Sequence, residues 1–169
     1  MNDDIIMKKK FLSCALLAGL LYGCSLSDTK SFHTEYFQID VNSKGYIVGM
    51  WNRTKENRNF SPADQPSPLL ALYDEEVRRY YYPQKASYSD GKYRLKYENG
   101  SVATVSLEEK DKYIKLKLES LEPRNGIDDV QWGNYYTNIS NILGEIIGVA
   151  RDTSAAVNYA IGVLALDDN

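Results

Sequence analysis

Apolar and polar residues alternate with a period of two along most of the chain beyond residue 34. Such alternation puts every second side chain on one face, which is the pattern of a half-buried β-strand. Residues 113–121 carry the clearest example, with one apolar face and one polar face, as is typical of an antiparallel sheet. The apolar face consists of Ile114, Leu116, Leu118 and Ser120, and the polar face of Tyr113, Lys115, Lys117 and Glu119.

Turn sequences divide the alternating pattern into short segments. Residues 90–91 (Asp-Gly) and 99–100 (Asn-Gly) are typical of tight hairpin turns, and residues 42–45 (Asn-Ser-Lys-Gly) give a similar signal. Residues 54–68 contain three prolines and are predicted to form a long loop, and Pro83 is predicted to end the strand before it. The predicted strands are residues 35–41, 46–52, 69–73, 77–82, 86–89, 92–98, 101–108, 113–121, 127–132, 142–150 and 159–166.

The predicted fold is all-β, an antiparallel β-sandwich formed by residues 33–169. Strands at regular spacing, with no convincing amphipathic helix between them, are typical of that architecture. A helix over residues 139–149 is an alternative, but its glycines and β-branched residues argue against it. The chain stops just after the apolar strand 160–166. Because a buried strand needs neighbours on both sides, either it pairs back into the sheet or the chain is the leading piece of a longer protein, which we favour.

Residues 1–23 have the order of a bacterial secretory signal. Three lysines at residues 8–10 precede an apolar stretch at residues 11–21, and Gly23 then precedes Cys24. We predict cleavage before Cys24 and acylation of that cysteine. The apolar stretch is too short to cross a bilayer core, which takes about 20 residues.

The predicted lipid anchor locates the protein in a bacterial cell envelope, at the outer membrane rather than the inner one. Residues 24–32 are polar and are predicted to form a tether between the anchor and the sandwich. Tyr22 departs from the small residue usual before the glycine of such a signal, so an ordinary signal peptide cut elsewhere is the alternative. Acids ahead of the lysines suggest that translation starts at Met7 rather than Met1.

Composition excludes several kinds of site. The net charge is −3 and Lys and Arg are scattered along the chain, so no nucleic-acid partner is expected. Since Cys14 is lost with the signal, Cys24 is the last cysteine, which leaves no intramolecular disulfide and no cysteine metal cluster. His33 is the only histidine, and at the boundary between tether and first strand it is expected to be solvated rather than part of a Ser-His-Asp triad. One histidine and a lipidated cysteine cannot fill a zinc site. No cofactor is expected.

Paired carboxylates are a catalytic arrangement for which the sequence offers candidates. Glycoside hydrolysis needs two carboxyl groups about 5–9.5 Å apart. Adjacent residues on a strand point to opposite faces, so no neighbouring pair forms such a site by itself. The acidic residues considered are Glu75 with Glu76, Glu108 with Glu109, Asp128 with Asp129, and Glu145.

Aromatic residues are the stronger candidates for binding, since the chain has 14 tyrosines against four phenylalanines. Tyrosine and tryptophan present an apolar ring and a polar tip, which suits a wet binding face. Tyr80 and Tyr82 share one face of a strand and Tyr81 the other, so the outward face exposes at least one ring beside Arg78 or Arg79. The alternative is that the rings pack in the core or across strands. The candidate carbohydrate-binding residues are Trp51, Tyr80, Tyr82, Trp132, Tyr135 and Tyr136.

Several stretches resemble one family. They are residues 132–140, 144–152 and 159–163, together with the Pro-Ser-Pro-Leu-Leu run at 66–70 and the Asn-Gly-Ser-Val-Ala run at 99–103. The whole mature chain resembles the N-terminal β-sandwich segment of large exported glycoside-hydrolase-like proteins of Bacteroidetes. The resemblance implies a sandwich of galactose-mutarotase type that precedes a catalytic barrel. This sequence has no barrel, so a fragment or stand-alone sandwich without hydrolytic activity is implied, and no catalytic residue is carried over.

Three functions remain open from the sequence. The first is an envelope-anchored lipoprotein that binds or presents a polysaccharide or oligosaccharide, with a downstream catalytic domain as a further partner. The second is a glycan hydrolase or epimerase that uses Glu145 with Asp128 or Asp129. The third is a structural envelope lipoprotein with no small ligand.

Overall fold

The computed structural model describes residues 28–53, 56–124, 126–139, 142–143, 149–152 and 159–166. Throughout these ranges the regular elements are β-strands, paired antiparallel, and none is a helix, which confirms the predicted all-β class. The predicted signal segment, Cys24 and Glu145 lie outside the described residues. The strands are β1 (Thr29–His33), β2 (Phe37–Asn42), β3 (Tyr46–Asn52), β4 (Ser67–Pro68), β5 (Ala71–Asp74), β6 (Arg79–Tyr81), β7 (Pro83–Ser89), β8 (Lys92–Tyr97), β9 (Val102–Glu109), β10 (Ile114–Glu122), β11 (Asp129–Gln131), β12 (Ile142–Leu143), β13 (Val149–Asp152) and β14 (Tyr159–Gly162).

The strands form four antiparallel sheets. Two have four strands each, in the orders β1-β2-β3-β4 and β10-β9-β8-β7. Two have three strands each, in the orders β11-β5-β6 and β12-β13-β14. Most hydrogen-bonded neighbouring strands are also consecutive in the chain, because short turns join them. In the β7–β8 turn, Asp90 and Gly91 both have positive φ, which is the type I′ geometry that the Asp-Gly sequence predicts.

One buried apolar cluster lies between the sheets. It draws side chains from the β1–β4 sheet, from β5 and from the β7–β10 sheet. Phe32 on β1 contacts Tyr88 on β7 and Tyr93 on β8 edge-on, with ring centroids 5.1 and 5.8 Å apart. Edge-to-face contacts are the favoured geometry of aromatic pairs, so these rings tie the two four-stranded sheets together. Two antiparallel sheets around one core are consistent with the predicted β-sandwich.

The β2–β3 turn makes a second connection between the sheets. The main-chain N–H of Ala86 on β7 donates to the carbonyl of Ser43 over 2.6 Å, and that of Leu69 donates to the carbonyl of Gly45 over 2.9 Å. Gly45 has φ +87°, and a Cβ there would lie 2.8 Å from Cδ2 of Leu95. Only glycine tolerates both the positive φ and the lack of space for a Cβ. With any other residue at position 45, the turn could not lie this close to β8.

The predicted tether is wrong for residues 29–32. They form most of β1, which pairs with β2 along its length. The polar composition of this stretch hides its role because Phe32 alone supplies the apolar contact, and it is 3% exposed. Main-chain hydrogen bonds to β2 and burial of one ring thus make a strand from a sequence that lacks an alternating pattern.

Several other local predictions change. The predicted strand 142–150 contains β12 and the start of β13, which pair with each other, and the predicted strand 159–166 ends at residue 162. Pro83 begins β7 instead of only ending a strand, which is tolerated because β7 is an edge strand. The predicted long loop contains the short strand β4. Strand β10 has a register shift between Leu118 and Ser120, so that Ser120 is exposed and Leu121 is buried.

Two buried tyrosines on β8 differ in one hydrogen bond. The hydroxyl of Tyr97 donates to the carbonyl of Leu70 over 3.0 Å. The hydroxyl of Tyr93 is buried and has no hydrogen-bond partner among the described residues. Burial raises the pKa of both phenols, with smaller contributions from Tyr88 on Tyr93 and from Tyr46 on Tyr97. Both side chains are therefore neutral at physiological pH.

We expect Tyr93→Phe to leave the free energy of unfolding unchanged or to raise it by up to about 1 kcal/mol, because a buried hydroxyl without a partner is removed. Tyr97→Phe is the matched control and should cost about 1 kcal/mol, because it leaves the Leu70 carbonyl without its donor. Urea unfolding followed by tryptophan fluorescence measures both. A larger loss for Tyr93→Phe than for Tyr97→Phe would contradict this account.

Candidate functional site

The predicted aromatic residues lie on different parts of the fold. Trp51 is on β3, in the β1–β4 sheet. Tyr80 is on β6 and Tyr82 follows that strand directly, in the β11-β5-β6 region. The segment 132–136 follows β11 and lies outside any strand. Of the predicted rings, Tyr80 and Tyr82 come into direct contact with each other.

Tyr80 and Tyr82 form an exposed row with Tyr73 of β5, which we call the tyrosine ladder. Tyr73 and Tyr80 are directly opposite in the β5–β6 pair, with ring centroids 4.6 Å apart. The rings of Tyr80 and Tyr82 are stacked, 6.3 Å apart and 16° from parallel. Tyr80 is 42% exposed and Tyr82 is 41% exposed. The predicted sharing of one face by these two side chains is confirmed.

A carboxylate belongs to the same face as the tyrosine ladder. Asp129 on β11 is directly opposite Tyr73, which is itself opposite Tyr80. Residues directly opposite in antiparallel strands project to the same face, so Asp129 extends the row across all three strands. Its side chain is exposed. The face thus combines aromatic rings with a hydrogen-bond acceptor.

Tyr81 belongs to the opposite face, as its position in the strand predicts. Its ring is half-buried and packs against the core cluster. The guanidinium of Arg79 lies 5.0 Å from the centroid of that ring and pairs with the carboxylate of Glu98. Arg79 is therefore on the side of Tyr81 and away from the tyrosine ladder.

Tyr46 on β3 lies near one end of the tyrosine ladder. Burial, and secondarily the neighbouring Tyr82 phenol, raise the pKa of Tyr46. The Tyr46 hydroxyl therefore stays protonated at neutral pH and can donate as well as accept a hydrogen bond.

Trp51 is part of a polar network on the β1–β4 sheet. Its indole Nε1–H donates to Oδ2 of Asp40 over 2.6 Å. Ser31 Oγ and Gln38 Nε2 donate to Oδ1 of the same carboxylate, over 2.7 and 2.8 Å. The carboxylate of Asp40 thus accepts hydrogen bonds from residues of all three strands β1, β2 and β3, and it fixes the edge of the indole ring.

Gly49 lies beneath this network. It is directly opposite Asp40, and a Cβ at Gly49 would be 2.5 Å from both Asp40 Oδ2 and Trp51 Nε1. A side chain would therefore occupy the space of the hydrogen bond itself. The glycine marks a close approach between two side chains and the strand backbone, which is a common reason for glycine inside a strand.

The segment after β11 divides between core and surface. Trp132 is half-buried and packs against the core cluster. Tyr135 also packs there, and its hydroxyl donates to the carbonyl of Leu69 over 3.0 Å, while burial raises its pKa. The alternative interpretation, core packing, describes these two residues. Tyr136 is 39% exposed, and its main-chain N–H donates to Ser67 Oγ over 2.8 Å.

Three of the acidic residues considered for catalysis, Glu108, Glu109 and Asp128, have structural partners. Asp128 Oδ2 accepts the main-chain N–H of Glu75 over 2.7 Å and so fixes the β5–β6 turn. Glu108 pairs with Lys110 over 2.6 Å, and that contact lowers the pKa of the carboxyl. Glu109 accepts the main-chain N–H of His33 over 2.6 Å, and its carboxylate lies 3.3 Å from His33 Nδ1.

Two further features bear on what the described residues can hold. Among them, no group of three or more His, Cys, Asp or Glu side chains is arranged to bind a metal ion. In the same ranges, no helix has the length and apolar character needed to cross a membrane.

No protein-family model, curated protein or solved structure matches the chain. The resemblance to mutarotase-like sandwiches therefore stays a prediction.

Sequence reasoning missed Tyr73, Asp129 as its neighbour, and the Asp40 network around Trp51. Each depends on which residues face each other across strands. The spacing of two residues within the predicted strand 77–82 was sufficient to place Tyr80 and Tyr82 on one face. The Asp40 network had one signal in the sequence, which is the single glycine inside the otherwise apolar strand 46–52.

We expect Gly49→Ala to lower the free energy of unfolding by about 1–3 kcal/mol, because the new methyl group overlaps the Asp40–Trp51 hydrogen bond. In an Asp40→Ala background the same substitution should cost less, since the indole is then free to move. Thermal and urea unfolding of the four proteins of this cycle give the coupling energy, expected above about 0.5 kcal/mol. Strictly additive effects would show that the two side chains do not meet over Gly49.

Proposed function

We propose that this protein is an envelope-anchored β-sandwich lipoprotein that binds or presents carbohydrate. The observation that carries this proposal is the tyrosine ladder, with its two stacked and solvent-exposed rings. The sandwich would be of galactose-mutarotase type. It would be the non-catalytic leading domain, or a fragment, of a glycan-processing protein.

The chemistry of the tyrosine ladder suits a sugar. Pyranose rings present apolar C–H faces that pack against aromatic rings, and hydroxyl groups that need donors and acceptors. Tyr80 and Tyr82 offer nearly parallel ring faces, and the Tyr46 phenol and the Asp129 carboxylate lie at the borders of the same region. A ligand pocket likewise combines aromatic surface with a few placed polar groups.

Exposure of the ladder also favours a ligand over a purely structural role. The Tyr73–Tyr80 contact is a cross-strand pair that stabilises the sheet by itself. Tyr82 lies beyond the β6 strand and stacks on Tyr80. Two large rings, each about two-fifths exposed, form a contiguous aromatic surface of the kind that marks an interaction site.

Binding is favoured over hydrolysis by the state of the carboxylates. Asp128 is occupied by the Glu75 main chain, and Asp129 projects to the tyrosine ladder. Because Asp128 and Asp129 are adjacent in the chain, their side chains lie on different faces. Asp129 beside aromatic rings suits recognition of sugar hydroxyl groups, whereas hydrolysis needs two carboxyl groups held at a fixed distance.

We expect Tyr80→Ala with Tyr82→Ala to weaken binding to a neutral polysaccharide by about tenfold or more, equivalent to about 1.4 kcal/mol. The matched pair Tyr80→Phe with Tyr82→Phe keeps the ring faces and should retain most of the affinity. Tyr36→Ala and Tyr113→Ala, at exposed tyrosines elsewhere, are further controls. Affinity gel electrophoresis over a panel of neutral polysaccharides measures the effect. Binding to none of them, or equal binding by the alanine double variant, would overturn the proposal.

The anchor is tested separately. We expect Cys24→Ala to move the protein out of the membrane fraction and to abolish labelling with a radioactive fatty acid, because stable anchoring depends on more than one acyl chain attached there. Cys14→Ala, inside the signal segment, is the control and should change neither readout. Labelling that persists after Cys24→Ala would rule out this site of lipid attachment.

A further inference from the structure

The outward face of the β7–β10 sheet is basic, although the chain carries a net charge of −3. Strand β8 alternates buried apolar residues with exposed bases, so Lys92, Arg94 and Lys96 all project to solvent. Successive side chains of such a row are about 6.7 Å apart along the strand. The seven bases of this face are Lys85, Lys92, Arg94, Lys96, Lys115, Lys117 and Arg124, and the three acids are Glu108, Glu119 and Glu122.

The bases of β8 have no acid directly opposite them on either neighbouring strand. Lys85 is directly opposite Lys96 in the β7–β8 pair, and like charges at such positions destabilise a sheet. Arg94 is opposite Ser87 on one side and Thr104 on the other, so no acid flanks it. Positive charge is thus concentrated around Arg94 at a cost to local stability.

Two of the three acids of this face, Glu108 and Glu119, have partners other than Arg94. Glu119 accepts a hydrogen bond from Ser106 over 2.9 Å and pairs with Lys117 over 3.4 Å. Those contacts lower the pKa of Glu119, with a smaller contribution from Lys92. Glu108 pairs with Lys110. Arg94 therefore has no acid directly opposite it, and Glu122 on β10 is the acid of this face that lies in the same region.

A groove of about 640 Å³ runs beside Arg94. Two arginines line it, Arg94 from β8 and Arg124 from the segment after β10, and neither guanidinium forms an ion pair or hydrogen bond within the described chain. Thr104 and Ser120, which are directly opposite each other in the β9–β10 pair, also line the groove. A guanidinium presents a planar fork of donors that matches a carboxylate or sulfate, and hydroxyls can exchange hydrogen bonds with sugar hydroxyls.

We propose that this groove binds the acidic groups of an anionic polysaccharide, with Arg94 and Arg124 holding a uronate carboxylate or a sulfate ester. That the polymer is a glycan rests on the proposed function, while the acidic character rests on the charge of the groove. Glu122 also lines the groove. Its carboxylate can accept hydrogen bonds from sugar hydroxyl groups, but it repels a densely charged phosphate surface. Glu122 therefore favours a polymer whose charges are spaced by neutral groups.

The test uses the purified full-length protein on surfaces that carry polygalacturonate, dextran sulfate or neutral dextran. We expect binding to an acidic polymer and not to neutral dextran, with affinity that falls as salt increases. Arg94→Gln with Arg124→Gln should weaken that binding by about tenfold or more, because two charge-assisted contacts are lost. Lys44→Gln with Lys112→Gln makes the same change in net charge at exposed turn positions and should leave affinity within about twofold, as expected for charges screened from the groove.

The outcomes separate this inference from the proposed function. Loss of acidic-polymer binding with Arg94→Gln and Arg124→Gln, but not with Tyr80→Ala and Tyr82→Ala, supports a distinct acidic site. Equal binding by the arginine variant and the lysine control overturns it, as does binding to neither acidic polymer. Retention by vesicles of anionic phospholipid, without binding to either polymer, also overturns it and identifies the face as a membrane contact. Neutral-glycan binding through the tyrosine ladder would survive each of these failures.

Discussion

The contact between the β2–β3 turn and the β7–β10 sheet holds the two large sheets around one core. The Ser43 carbonyl accepts the Ala86 N–H from the outer edge of β7, and Gly45 brings its backbone against Leu95. This contact occupies part of an edge that would otherwise be open to another strand. Phe32 then closes the adjoining space by packing against rings of β7 and β8. A side chain at position 45 would overlap Leu95 and strain the backbone, so the turn would have to shift away from β8.

Because the sheets share that core, the alternation of each strand decides which residues meet solvent. On β8 the buried residues are Tyr93, Leu95 and Tyr97, which leaves a row of bases outside. On β5 and β6 the same rule buries Leu72 and turns Tyr73 and Tyr80 outwards. The aromatic surface and the basic surface therefore belong to different sheets. A polymer that used both would have to reach from one sheet to the other, whereas separate ligands could bind each.

The sequence predicts only the part of the candidate site that lies within one short stretch of the chain. Tyr80 and Tyr82 lie two positions apart, and that spacing alone places them on one face. Tyr73 and Asp129 join them through the pairing of three strands that are far apart in sequence. Arg94 and Arg124 meet at one groove for a similar reason. Scattered bases in the sequence gave no hint of a basic surface, because alternation with apolar residues hides a row that pairing assembles.

The amino-acid sequence by itself determined the all-β class, the antiparallel pairing and several hairpin turns, since period-two alternation and turn dipeptides act over a few residues. It also determined that Cys24 is the last cysteine beyond the predicted signal. Only the tertiary structure decided that residues 29–32 form a strand, because one buried ring and the hydrogen bonds of β2 act on a stretch with no pattern of its own. Register and bulges likewise come from the packed sheet. They decide which side chains are neighbours, and so they decide the sites.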